Sequence, residues 1–176
     1  GDGSPLTPSN TNVSKETSWG SEDIIPKKIG NYFYYVQRFG EKLRELFFDF
    51  NNLNGYRSVD KTILSPHIAA KGFIDICYQQ NPDTIIWLVC TDGTLATMTR
   101  EIDQDITGWS RQTTDGTYES ITSIPSQEGL HDEVWVVVNR TINGATKRYI
   151  ERFKSQIVPD SQDQCPGTPA GAAVNA

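Results

Sequence analysis

The sequence predicts an all-β fold of antiparallel hairpins, and three observations carry the prediction. First, residues 73–153 break into short segments, "FIDICYQ", "TIIWLVC", "LATMTRE", "ITGWSRQ", "YESITSI", "DEVWVVVNRTI" and "TKRYIERF", rich in β-branched and aromatic residues and divided by turn formers. Second, Asp92-Gly93, Asp115-Gly116 and Asn143-Gly144 follow Trp87, Trp109 and Trp135 by five, six and eight residues, one layout written three times. Third, helix start and stop signals are confined to a single connection at 59–71.

Taken in order, residues 1–31 are rich in Ser, Thr, Asn, Pro and Gly and are expected to form an extended arm, with "DII" at 23–25 as their one apolar run. The domain proper spans 32–154 and opens with "YFYYVQRFGEKLRELFFDF", two aromatic-rich strands about a turn at Phe39-Gly40, although propensity alone would also allow a helix in the second run, "KLRELFFDF". In 51–72, Asp60 is placed to cap "KTIL", and Ser65 followed by Pro66 to start a turn through "HIAA" that stops at Gly72, giving one or two short helices. The tail, 155–176, holds Pro, Gly and Ala without an amphipathic period and is expected to be extended or disordered.

Asp-Gly and Asn-Gly are strong hairpin signals, because a two-residue type I′ turn needs positive φ at both positions. Folding each copy about its turn pairs Thr91 with Thr94, Cys90 with Leu95 and Trp87 with Met98; Thr114 with Thr117 and Thr113 with Tyr118; and Ile142 with Ala145, Val138 with Tyr149 and Val137 with Ile150. Trp87, Trp109 and Trp135 then become core positions, and "VWVVV" reads as a strand buried on both faces. The glycines at 93, 116 and 144 are 23 and 28 residues apart, so two successive hairpins make a unit of the ~40–50 residues of a propeller blade. With the turn at Phe39-Gly40 the chain holds about two blades where a closed propeller needs roughly four to eight, so the propeller is incomplete. A β-sandwich is the second architecture. Open blade edges need cover from missing sequence or another subunit.

Composition narrows function. The net charge is −6 and the pI near 4.9, with basic residues gathered only in "TKRYIERFK", which excludes a broad phosphate-binding face and tight nucleic-acid binding. No apolar run approaches the ~18–20 residues of a membrane span, the N-terminus lacks a signal-peptide pattern, and the missing initiator Met suggests a processed chain or a piece of a longer one. Cys77, Cys90 and Cys165 form no regular framework, and the first two read as buried thiols.

His67 and His131 give little material for a triad or a metal cluster, and Glu101, Asp103 and Asp105 lack the Gly and distal Glu of a calcium loop. "TTDGTY" differs from the Asp-box of sialidase-like propellers, where a residue separates Asp from Gly. The sequons at Asn12 and Asn139 matter only in a secreted protein. No catalytic, cofactor-binding or metal residue is assigned, and no cofactor is expected.

The ordered series "GYRSVDKTILSPHI", "IIWLVCTDGTLATMTRE", "GWSRQTTDGTYESITSIP" and "DEVWVVVNRTINGATKRYIERF" resembles the tail nozzle, or tail tubular protein B-like, hub proteins of short-tailed bacteriophages, some of them called packaged-DNA stabilisation proteins. The resemblance covers roughly residues 5 to 154. It implies a non-enzymatic structural component with propeller-like blades, located in the virion tail and in the host cytoplasm during assembly. Its implied partners are copies of itself in a ring and other tail, portal and adaptor proteins, with DNA passing through the lumen. A carbohydrate- or receptor-binding β module of a phage tail is the alternative. Family members are longer, so the chain is expected to be a fragment or a separately expressed domain.

Overall fold

A computed structural model describes residues 5, 7, 11, 15, 17–51, 55–127 and 129–154. The tail 155–176, Asn12, Cys165 and much of the arm lie outside them. The fold is all-β: β1 (Lys27–Ile29), β2 (Tyr32–Val36), β3 (Leu43–Phe48) and β4 (Tyr56–Asp60) form one antiparallel sheet. After the short helix α1 (Pro66–Ala69), β5 (Phe73–Gln79), β6 (Ile85–Cys90), β7 (Leu95–Glu101) and β8 (Ile106–Gln112) form a second. A third sheet comprises β9 (Thr117–Pro125), β10 (Asp132–Ile142) and β11 (Ala145–Arg152). Each sheet is an up-and-down meander with every strand beside its sequence neighbour, the strand order of a propeller blade, and none closes on itself.

The sheets stack face to face with the second in the middle. Alternation along β6 sends Ile86, Leu88 and Cys90 to the first sheet, where Tyr34, Val36 and Leu43 meet them. It sends Ile85, Trp87 and Val89 to the third, against Tyr118, Ile121, Val134, Val136 and Val138. This is why "IIWLVC" is buried at every position while ordinary one-sided strands alternate. Between sheets, β5 approaches both β1 and β9, so the stack is closest along the first strand of each sheet and fans outward from there. Ile68 and Ala69 of α1 close the core beside the second sheet.

The third hairpin pairs as the sequence predicts: Ile142 faces Ala145, Val138 faces Tyr149 and Val137 faces Ile150, with positive φ at both Asn143 (51°) and Gly144 (77°). The first differs by one residue: Trp87 faces Thr97, Val89 faces Leu95, and Met98 faces Ile86. The Gly93 amide donates to the Cys90 carbonyl and the Cys90 amide to the Thr94 carbonyl, so the loop has three residues, with only Gly93 at positive φ. That is a type I turn with a glycine bulge, and the extra residue shifts the register.

The expected second hairpin is absent. β8 belongs to the second sheet and β9 to the third, so Thr113, Thr114, Thr117 and Tyr118 do not pair across Asp115-Gly116, which instead carries the chain between sheets. The turn between the second and third strands of each sheet falls at Gly40, Gly93 and Gly144, 53 and 51 residues apart, so one such interval spans a whole sheet and not a single hairpin. In "VWVVV", Val134, Val136 and Val138 are buried and Trp135 and Val137 half-buried, because β10 has a sheet on one side only. The turn at Phe39-Gly40 is present, and Asp60 Oδ1 accepts the Thr62 amide at 2.8 Å as an isolated turn cap, leaving α1 the one described helix.

Candidate functional site

The tip glycines do more than turn the chain. The Gly40 carbonyl accepts the amide of Phe73, which opens the second sheet, at 3.0 Å, and the Gly93 carbonyl accepts the amide of Tyr118 near the start of the third, at 2.9 Å. The Thr91 amide adds a bond to the Gly72 carbonyl at 2.9 Å. Asp92 holds the tip from within: its Oδ1 accepts the Thr94 amide at 3.0 Å and the Thr94 hydroxyl at 2.6 Å, and the hydroxyl bond holds the Asp92 carboxyl below its usual pKa. Gly116, at φ +142°, lies where a Cβ would stand 2.4 Å from the Asn139 carbonyl oxygen, so the crossing can be made only by a residue without one. The Thr-Asp-Gly-Thr copies thus serve two different jobs, a tip in the first case and a sheet-to-sheet passage in the second.

The three tryptophans are not equivalent. Trp87 is buried between the second and third sheets, donates to Gln79 Oε1 at 2.9 Å and packs 4.8 Å from the Phe153 ring. Trp109 and Trp135 are half-buried rather than enclosed, since each lies on a sheet face with only partial cover. Trp109 donates to the Lys61 carbonyl at 2.9 Å and stacks on Phe73, while Trp135 donates to Glu133 at 3.1 Å on the outer face of the third sheet.

A cluster of charged residues missing from the sequence reading sits between the first and second sheets. Glu45 on β3 takes Lys61 at 2.9 Å and Arg100 of β7 at 3.1 Å, and the Tyr34 hydroxyl also donates to it. Arg100, only 4 % exposed, also reaches Asp105 at 2.9 Å. Burial pushes the Tyr34 hydroxyl's pKa up, aided by its bond to Glu45. Burial works against the Arg100 charge, but Tyr34, Glu45 and Asp105 outweigh it and raise its pKa. The signal was present in "LRELFF": alternation puts Glu45 on the same face as Leu43, toward the core, where a carboxylate needs cationic partners. Every charge in the cluster is answered inside the protein, which makes it a latch between sheets.

A cleft of about 390 Å³ opens at the edge of the second and third sheets, lined by Gln79, Trp87, His131, Glu133, Arg152 and Phe153 among others. Its polar groups are largely engaged: Glu133 binds Arg152 and the Trp135 indole, and Asp132 accepts the amides of Gln80 and Asn81. His67 follows Pro66 in α1, on the far side of the second sheet from His131. Glu101 and Asp103 are exposed, and Asp105 differs from them in reaching Arg100. Among the described residues no group of three or more His, Cys, Asp and Glu side chains is placed to hold a metal ion, and no helix is long and apolar enough to cross a membrane.

The remaining features are the outer faces of the stack. The first sheet turns Phe33, Leu46, Phe48 and Tyr56 outward, with Phe50 set edge-on against Phe48. The third turns Ile124, Trp135, Val137 and Ile150 outward, among the ion pairs Arg148–Glu119 and Arg152–Glu133. No protein-family model matches the sequence, and no curated protein is significantly similar to it.

Proposed function

We propose that this chain is a structural, non-enzymatic part of a bacteriophage tail, a section of the hub wall below the portal and adaptor through which the genome leaves. The observation that carries the reading is a stack of three meander sheets whose two outer faces, among the described residues, leave Phe33, Phe48, Phe50, Ile124 and Ile150 exposed, which suits a segment that packs on neighbours. The resemblance of the sequence to tail nozzle proteins supplies the kind of assembly. The net charge of −6 suits a conduit that a polyanion must slide past without adhering.

Fab fragments raised against this chain and imaged by electron microscopy on virions that carry it are expected to mark the tail just below the capsid. Virions left unlabelled, or labelled only on the capsid shell, would overturn the proposal. The isolated chain is also expected to leave duplex DNA unshifted at low salt, and tight binding that weakens steeply with added salt would count against the conduit.

A further inference from the structure

Within the chain, one relation between sheets occurs twice. The first sheet gives its inward face and its tip carbonyl, Gly40, to the second, and the second gives its other face and its tip carbonyl, Gly93, to the third. The third sheet has the same parts ready: a tip glycine, Gly144, at φ +77° and an outward face carrying Val137, Ile124 (45 % exposed) and Ile150 (75 % exposed). The outer face of the first sheet, where Trp19 of the arm covers Arg44, leaves Phe33 40 %, Phe48 49 % and Phe50 92 % exposed among the described residues. These are the residue types that the two internal seams bury.

We propose that two copies of this chain associate head to tail, the outer face of the third sheet of each packing on the outer face of the first sheet of the other. The arithmetic favours two copies. Three sheets fall short of a closed propeller and six lie within the roughly four to eight that close. A head-to-tail contact made twice closes on itself and covers the exposed apolar side chains of both outer faces.

The first internal seam also shows which strands meet. Glu45 on the third strand of the first sheet binds Arg100 on the third strand of the second, so third strands lie opposite one another there. A seam of the same kind brings Ile150, on the third strand of the third sheet, opposite the third strand of the partner copy's first sheet, which carries Phe48. This contact follows from the sheets alone, whether or not the chain belongs to a tail.

The test is a disulfide trap in a Cys165→Ser background, where Cys77 and Cys90 stay silent because they are buried. Chains carrying Phe48→Cys mixed with chains carrying Ile150→Cys are expected to give a mixed disulfide dimer under mild oxidation, well above the yield from either chain alone. Native mass spectrometry of the unmodified chain is expected to give twice 19.7 kDa at micromolar concentration. Phe48→Asp and Ile150→Asp, both at exposed positions, are each expected to return it to a monomer with its far-ultraviolet circular dichroism unchanged. A monomer at high micromolar concentration, a crosslink of Phe48→Cys with itself, or a dimer indifferent to both Asp variants would overturn the proposal. Failure here leaves the virion-labelling result standing, and failure there leaves this one standing.

Discussion

At the scale of single residues, three glycines at positive φ are predicted to differ in how much they matter. A Cβ on Gly93 would stand 2.5 Å from Thr117 Cβ, and one on Gly116 2.4 Å from the Asn139 carbonyl oxygen, whereas at Gly144 nothing lies within 4 Å. Gly144→Ala therefore meets only the left-handed backbone cost of about 1–2 kcal/mol. Gly93→Val and Gly116→Val add an overpacking cost of about 1–3 kcal/mol and break the contact between successive sheets. Thermal unfolding should rank Gly144→Ala well above the other two in stability, and equal melting temperatures for all three would contradict the geometry. Titration supplies a second residue-scale prediction. Burial pushes the Cys77 thiol up to about 12, and it raises the Tyr34 hydroxyl as well. Between the unfolded thiol value, about 8.5, and the folded one, the native state holds a proton that the unfolded chain has lost. Stability is therefore full below that window and falls as pH rises through it, by up to about 1.4 kcal/mol per pH unit for each such group. Denaturant midpoints should drop from about pH 9 upward, and Cys77→Ala should make the drop shallower. A slope unchanged by that substitution would show that Cys77 does not carry it.

At the scale of elements, strand identity was legible because side-chain type and alternation decide it locally. "YFYYV", "LRELFF" and "ITGWSRQ" all became strands, and Asn143-Gly144 became the turn that its φ preferences demand. What the sequence left open was how turns combine. Asp92-Gly93 satisfies a two-residue I′ turn and a three-residue bulged turn equally well on paper. The Asx bonds from Asp92 to Thr94 and the Gly93 bond to Tyr118 favour the second, a choice that depends on a strand 25 residues away. Asp115-Gly116 has the same letters and no hairpin, because the second sheet was already complete with β8 and the next strand had to start a new layer. Burial of Trp109 and Trp135 was overestimated for a related reason. Their depth is set by which sheet faces theirs, which local periodicity does not contain. The Glu45 latch was readable as a carboxylate on an apolar face, but Lys61 comes from the end of the neighbouring strand β4 and Arg100 from β7 of the second sheet, which only the stacking of the sheets brings to it.

At the scale of the whole molecule, the seam between the first and second sheets joins an apolar layer to one buried ionic knot, and the two parts play different roles. Tyr34, Val36 and Leu43 against Ile86, Leu88 and Met98 supply non-directional burial, which would tolerate sliding of one sheet over the other. The Glu45–Arg100 bond tolerates no such slide, since a shift of one strand residue would strand a carboxylate and a guanidinium in the core. Removing one partner should therefore cost far more than removing both. Glu45→Met leaves Arg100 with the exposed Asp105 as its one described carboxylate and Lys61 without its own, a loss of about 3–5 kcal/mol by the behaviour of broken buried pairs. Combining Glu45→Met with Arg100→Met fills the same space with apolar atoms, and it is expected to recover most of that loss or exceed the parent. The double variant gives up only the specificity of register, so it should unfold less cooperatively, with a smaller denaturant slope, even where its midpoint returns. Equilibrium denaturation of the two single variants and the double variant measures both quantities. A double variant as unstable as the sum of the singles would mean that the charges do not act as a pair, and an unchanged slope would mean that the apolar layer sets the register by itself.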